Sequence, residues 1–349
     1  MNQVLYQNTH NTIILLVMPR QSIILIAYFA RICTISVLIR TITNLLFKNV
    51  KQNILKLYEN DIQIITFGAY YFVMEYDQEY LIHNFKLKRC SEFNISKLRK
   101  AIAIYEVIKI EQGIPIFLEQ HLNRLFNSAD ISNLSINESY CDIDILIGEL
   151  IKKNNTKEGK INLVIRFEKR NGSNEKDLLI YFTPHYFPSV DEYKNGVEIG
   201  SCHATRGNPN AKILNTEARI RANNKIVEEN LFEVLLINDE GFVTEGSRSN
   251  VFFIKDNKII TPPVKDVLNG ITRMNIIKLC RQNNIEIVEA KIQYSQIKDM
   301  DTLFLTGTSL HALAVRKFED VEFNTNNKIL NRLMELYKEL TEKYISSKT

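Results

Sequence analysis

The chain has 349 residues, 45% hydrophobic and 24% charged, enough to bury a sizeable core and, by length, to divide into two domains. Its formal charge of +4 is misleading: no Asp or Glu precedes Glu59, and setting aside Arg20, Arg31, Arg40, Lys48, Lys51 and Lys56 leaves 38 basic residues against 40 acidic. That balance removes the electrostatic footing for nucleic-acid binding. Five cysteines without a CxxC pair, and six histidines in no ligand cluster, argue against a zinc site and for reduced thiols in the cytoplasm.

Residues 1–68 stand apart. NTIILLVMPRQSIILIAYFARICTISVLIRTITNLLF is apolar but cut repeatedly by arginine; its longest uncharged stretch after Pro19 falls short of the ~20 residues of a membrane span, and an arginine at mid-bilayer is costly. Basic and acid-free, it also has the composition of a targeting leader. The reading taken is an apolar basic leader or upstream extension outside the fold, with Met74 as the working start.

From Tyr70 strands and helices alternate. YFVMEY and EYLIHNF read as a hairpin around Asp77-Gln78, and AIAIYEVIKIEQGIPIFL as two strands joined at Gln112-Gly113. EQHLNRLFNSADI has helical spacing, with Leu122, Leu125, Phe126 and Ala129 on one face. A second helix over 140–153 leads to the strand pair KINLVIRFE and KDLLIYFTP. Together these predict a small α/β domain over 70–183, closed by a proline-marked linker at 184–195. Residues 196–349 read as a larger, strand-rich domain: strand VEIGSCHAT, loop RGNPNAK, helix NTEARIRANNKIVEEN, strand FEVLLIN, then VTEGSRSNVFFI as strand, tight turn and strand. Loop TPPVKDVLNG, helix ITRMNIIKLCRQNN, strands EIVEA and TLFLTG and a helix from about Asn326 complete it. The class is mixed α/β.

Two residues in this half carry the chemistry. Lys212, in NPNAKILN, is flanked by Ala211, Ile213 and Leu214; an apolar setting lowers an amine's pKa and makes it a better nucleophile for a carbonyl. Glu245, further along the chain, is the lone acid of its strand-turn-strand run. Gly270-Ile271-Thr272 then opens a helix and Thr306-Gly307-Thr308 ends a strand; such places expose backbone N–H groups suited to a phosphate, which Arg124 on the earlier helix could also grip. A carbonyl-capturing lysine, a carboxylate and a phosphate cradle are what pyridoxal phosphate requires.

The chain resembles the class IV, fold-type IV pyridoxal-phosphate enzymes: branched-chain and D-amino-acid aminotransferases and 4-amino-4-deoxychorismate lyase. The matching stretches are YEVIKIEQGIPIFLEQHLNRLFNSA, NPNAKILN, EVLLINDEGFVTEGSRSNVFFI, TPPVKDVLNGITR and LFLTGTS, in the family's order over about residues 74–320. The resemblance implies pyridoxal 5′-phosphate as cofactor, Lys212 as its Schiff-base lysine and general base, and Glu245 as partner of the pyridine nitrogen. Arg124, Ile271, Thr272 and Thr308 would hold the phosphate. It also implies a cleft between two domains and a homodimer acting on a small amino acid, branched-chain ones included, and a 2-oxo acid.

Some features depart from the family pattern. KLRKAIAIYEV lacks the usual glycine-containing loop before the strand, Glu217 stands where branched-chain enzymes carry a tyrosine, and IRFEKRNG leaves Arg166 and Arg170 as candidates for a substrate carboxylate. His121 reads as a capping or packing residue and His311 as one flanking the phosphate loop, while Arg248 either hydrogen-bonds across the site floor or stabilises its turn. A lyase releasing pyruvate would use the same Lys212 and Glu245, and a non-catalytic or membrane-tethered homologue would keep the fold alone.

Overall fold

The computed structural model describes residues 3–8, 11–16, 78–93, 102–170, 173–184, 187–214 and 216–349. The chain separates into two compact units, Met1–Ile65 and Thr66–Thr349. In the first, strands β1 (Gln3–Asn8) and β2 (Asn11–Leu16) pair antiparallel. The rest of the expected leader, the strand YFVMEY and Asp77 lie outside the described residues. Among the described residues no helix is long and apolar enough to cross a membrane.

The second unit opens with β3 (Tyr80–His83), β4 (Lys86–Arg89), β5 (Ile102–Glu111), β6 (Ile114–Pro115), helices α1 (Leu118–Ile131) and α2 (Tyr140–Asn154), β7 (Gly159–Arg170) and β8 (Ser173–Phe182). Its strands form an antiparallel sheet in the order β4-β3-β8-β7-β5-β6. The Gln112-Gly113 turn behaves as its residues predict, with φ of 54° and 81°, the pair of left-handed conformations a two-residue hairpin favours. EYLIHNF, expected as the second arm of a hairpin, is instead β3, turning forward into β4 at Asn84-Phe85. Asn84 tolerates its φ of 49° because its side chain bonds both Leu178 N and Asp177.

β5 sets the logic of the site because its two faces see different surroundings. Ile104, Ile108 and Ile110 pack under α1 and α2 with Leu122, Leu125 and Ile147. Ala103, Tyr105 and Val107 belong to the opposite face, as alternation along a strand requires. Glu106 therefore shares the helix-covered face and Tyr105 the other. Leu118, Leu122, Leu125 and Ala129 bury one stripe of α1.

Residues 184–195, expected as a plain linker, contain a short helix α3 (Val190–Asn195) started by a reciprocal Ser189/Glu192 capping box. There follow β9 (Val197–His203), α4 (Glu217–Glu229), β10 (Glu233–Ile237), β11 (Phe242–Gly246), β12 (Asn250–Lys255), β13 (Lys258–Thr261), α5 (Ile271–Gln282), β14 (Ile287–Glu289), β15 (Ile292–Gln293), β16 (Thr302–Gly307), β17 (His311–Phe318), β18 (Val321–Glu322) and α6 (Lys328–Ser346). They build a mixed sheet in the order β14-β13-β12-β16-β17-β9-β10-β11-β15, with β18 on β17. α5 and α6 cover one face through Ile276, Leu330 and Leu333, packed with Phe252 and Phe304. Strands β13, β15, β17 and β18 were not anticipated; β15 and β18 have two residues each, too few for periodicity to register.

The run VTEGSRSNVFFI is strand, turn and strand as predicted, yet the two strands do not pair with each other. β11 pairs with β10 and β15, whereas β12 pairs with β13 and β16. What holds the turn is Glu233 of β10, buried at 4% exposure. Its carboxylate accepts from Ser247 N and Oγ, Arg248 N and Ser249 Oγ at 2.6–3.2 Å.

Candidate active site

The side chains singled out from sequence converge. Arg124, Lys212, Glu245, Ile271, Thr272 and Thr308 all line one cleft of about 660 Å³, counted with its open mouth.

Lys212 lies in the loop between β9 and α4, and that loop is stapled to β5. Tyr105 N donates to Lys212 O at 3.1 Å, Leu214 N donates to Ala103 O at 2.9 Å, and Ile213 bridges Ile104. Ser128 Oγ of α1 accepts from Lys212 N at 3.1 Å. With the backbone fixed on both sides, the side chain runs over the Tyr105 ring, Nζ 4.5 Å from its centroid. Burial, helped by the Arg124 and Arg219 guanidiniums, lowers the amine's pKa below that of an ordinary lysine. Lys225, the next lysine along the chain, is ion-paired to Glu229 on α4 and does not line the cleft.

Glu245, at the end of β11, is 2% exposed. Oε1 accepts from Arg206 Nη1 at 2.7 Å, and Oε2 from Leu268 N at 3.1 Å and Asn250 Nδ2 at 3.4 Å. Burial raises its pKa, opposed by Arg206, the Leu268 N–H and Lys212. Arg206 was read only as part of a polar loop. Its Nη2 also donates to Ala211 O at 2.9 Å, so one guanidinium ties the carboxylate to the residue before the lysine.

Arg124 reaches the cleft from α1 while gripping Glu106 of β5 through two parallel bonds, Nε to Oε1 at 2.8 Å and Nη2 to Oε2 at 2.6 Å. Its Nη1 donates to Asn269 O at 3.3 Å, beside the start of α5. Burial pushes Glu106 upward, but Arg124, with hydrogen bonds from Arg124 and His121, outweighs it and holds the carboxyl at about 2. α5 begins at Gly270 with no side-chain cap and no acid in its first turn. Its first N–H groups therefore lack a side-chain partner. A Cβ on Gly270 would meet Asn250 Oδ1 at 2.0 Å. On the same cleft wall, the buried Thr306 hydroxyl has no hydrogen-bond partner among the described residues.

These features fit pyridoxal phosphate: an uncapped helix start, an orphaned hydroxyl and an arginine for the phosphate, a desolvated amine, and a carboxylate that can face a ring nitrogen. Other readings resolve differently. His121 is a buried partner of Glu106, Nδ1 lying 2.7 Å from Oε2. His311 lines a smaller cavity of about 260 Å³ shared with Thr308, and Lys109 Nζ is 3.3 Å from its Nε2. Arg166, a candidate for substrate carboxylate, is bound to Asp177 and Glu168 and does not line the cleft. Arg170's side chain lies outside the described residues. Glu217 is exposed at the start of α4 and pairs with Arg221. Arg248 does line the cleft, as do Tyr105 and Arg219, two residues sequence reasoning missed.

Known proteins resemble this chain in sequence and in fold. The family described as amino-transferase class IV matches residues 103–318. A D-alanine aminotransferase of Bacillus licheniformis is 31% identical over 223 residues, covering 62% of this chain and 78% of its own. The branched-chain amino acid aminotransferase of Escherichia coli superposes with a TM-score of 0.70 at 20% identity, over 76% of this chain and 95% of its own. A Legionella pneumophila structure carrying the name 4-amino-4-deoxychorismate lyase gives a TM-score of 0.64 at 25% identity, over 71% and 94%. The chain belongs to the class IV aminotransferase family.

Proposed function

We propose that the protein binds pyridoxal 5′-phosphate in this cleft and transfers an amino group between a small amino acid and a 2-oxo acid. The observation that carries the reading is that a desolvated lysine amine and a buried carboxylate share one cleft with an uncapped helix start and an arginine. When bound, the cofactor supplies an aldehyde carbon that amines join and a ring that takes up an electron pair from the substrate. Lys212 would hold the aldehyde end and, once replaced by the substrate amine, move a proton between the substrate's Cα and the C4′ carbon. Its lowered pKa favours both tasks, since the unprotonated amine is the nucleophile and the base. Glu245 would face the ring nitrogen, kept in orientation by Arg206 and Leu268 N. Arg124, the Ile271 and Thr272 backbone, and the Thr272 and Thr308 hydroxyls would hold the phosphate.

On this reading the two sheets serve as a small domain over 70–183 and a large one over 196–349, joined through 184–195, in a cytoplasmic homodimer. The D-alanine and branched-chain names of the relatives support a small substrate. The likeness to the Legionella protein supports a second reading, a lyase acting through the same Lys212 and Glu245.

Borohydride reduction of the cofactor-loaded protein, followed by peptide mass spectrometry, tests the assignment. The expected adduct is on Lys212, and Lys212→Ala abolishes both the adduct and the lysine-bound visible absorbance. An adduct on Lys225, or none, overturns the reading. Incubation with an amino-acid panel while following pyridoxamine formation tests amino transfer, and pyruvate release from aminodeoxychorismate without it would decide for the lyase.

A further inference from the structure

Ile271, Thr272 and Thr308 form a partition, lining the cleft on one side and the smaller cavity of about 260 Å³ on the other. With Arg124 they are the residues given the phosphate. Behind them stand side chains that the chemistry at Lys212 and Glu245 does not use. Tyr337 of α6 places its hydroxyl 3.4 Å from Thr272 Oγ1. His311, the first residue of β17, packs its ring 5.3 Å from that of Tyr337 and lines the same cavity.

Thr308 itself sits in a short turn between β16 and β17, closed where Gly307 pairs with His311 and Leu310 N donates to Gly307 O at 3.1 Å. Two other elements brace that turn. Tyr193 of α3 donates its hydroxyl to Leu310 O at 3.1 Å. Lys109 of β5, on the same strand face as Tyr105, lies 3.3 Å from His311 Nε2 while bound to Glu111 Oε2 at 2.6 Å. An ammonium has only donors, so His311 accepts through Nε2 as the neutral imidazole. Burial, then the Lys109 charge, pulls His311 down to about 4 against the opposing pull of Glu111, which keeps it in that form at neutral pH. The backbone at His311 has a φ of 52°. A residue with a side chain adopts this left-handed conformation at a cost and keeps it only where its surroundings fix it.

We propose that His311 and Tyr193 are positioning residues that hold the Thr308 turn ready for a phosphate, with Lys109 anchoring His311 from the first sheet. This rests on the cofactor reading and extends it beyond the cleft, which neither residue lines. Hydroxyl and N–H groups grip an anion best when they already point at it. A turn released from its braces would have to be ordered at the moment of binding, with a loss of affinity confined to ligands that carry the phosphate. Because Lys109 and Tyr193 come from outside the sheet that bears the turn, the grip on the phosphate depends on β5 and α3 being seated against it.

The test titrates the full chain, freed of cofactor, with pyridoxal phosphate and with pyridoxal, which has the same aldehyde and no phosphate, following the lysine-bound absorbance. His311→Asn tolerates the left-handed backbone but is too short to reach Lys109. Its affinity for pyridoxal phosphate is expected to fall roughly tenfold, the worth of one hydrogen bond, and that for pyridoxal by less than about twofold. Tyr193→Phe should show the same split, and Lys109→Arg, which keeps a donor for His311, should show less of it than Lys109→Met. General damage to the fold weakens both ligands alike, so equal losses overturn the proposal, and wild-type affinity in either variant removes that residue from the role. Calorimetry with inorganic phosphate separates the braces from the cofactor reading. If neither aldehyde gives the absorbance, yet phosphate binds and His311→Asn and Tyr193→Phe weaken it, the cofactor reading falls and the braces stand. If phosphate binds wild type and variants alike, the braces fall whatever becomes of the cofactor. If neither phosphate nor pyridoxal phosphate binds, both fall.

Discussion

Replacing Arg124 with Met removes one partner from a buried ion pair that the site is built around. Glu106 is fully buried, and its oxygens accept from Arg124 Nε and Nη2, with His121 Nδ1 2.7 Å from Oε2. Its carboxyl is held at about 2 against an ordinary 4.5, a difference worth about 3 kcal/mol of folding free energy at neutral pH. Breaking a buried pair by deleting one member costs about 3–5 kcal/mol, so the two figures agree. In wild type the folded pKa lies below the unfolded one. The stabilisation is therefore complete above about pH 4.5 and is lost as pH falls towards 2. In Arg124→Met burial is opposed by His121 alone, the Glu106 pKa should move above its ordinary value, and stability should instead decline as pH rises through that value. Urea unfolding without added cofactor, followed by circular dichroism, should find the variant weaker by about 3 kcal/mol at neutral pH and less so near pH 5. A loss below about 1 kcal/mol at neutral pH, or no pH trend in the difference, would refute the reasoning.

Glu245→Gln should retain the cofactor through the phosphate contacts but slow amino transfer by about a thousandfold, because a neutral amide offers no counter-charge to a protonated ring nitrogen; near-normal single-turnover rates would remove the role given to Glu245. Gly270→Ala should drive its new Cβ into Asn250, 2.0 Å away, and so loosen a contact of Glu245 and the start of α5. Thermal unfolding should show a loss of about 1–3 kcal/mol and cofactor titration a weaker affinity, and wild-type values for both would count against the packing described. A chain starting at Met74 should fold and bind cofactor, and its failure to express as a soluble yellow protein would tie the segment before Met74 to the fold.

The side chains proposed to react were legible in sequence because their demands are local. An apolar neighbourhood marks Lys212, a lone acid in a strand-turn-strand run marks Glu245, and a glycine before a helix marks Ile271 and Thr272. The supporting partners were hidden because they meet across the fold: Tyr105 of the first sheet touches Lys212 and Arg219, both far along the chain. One of them did leave a signal. Glu106 is the only acid inside the apolar run IAIYEVIKI, and a carboxylate on a strand's covered face demands a cation. Arg206 left none, since a basic residue in a loop with Asn, Pro and Gly looks like any solvated loop charge. The misplaced hairpin of β3 has a plain cause as well: alternation defines a strand but not its partner, and it was Asn84 that fixed the turn.

The bonds that fix Lys212 join residues 103–105 to 212–214, so the amine acquires its setting only after the long intervening loop of chain has closed. Closures of that length are slow and come with the last gains of folding rather than the first. On the ribosome, the first sheet is complete in sequence by Phe182, well before the lysine that leans on it has been made. The proposed cofactor anchor is thus a late readout of correct assembly, and a ligand that binds only the assembled state deepens that state by mass action. Amide exchange at Tyr105 and Leu214 should accordingly slow when pyridoxal phosphate is added, more than exchange within α2, which the Ser139 capping box and its own local contacts already protect.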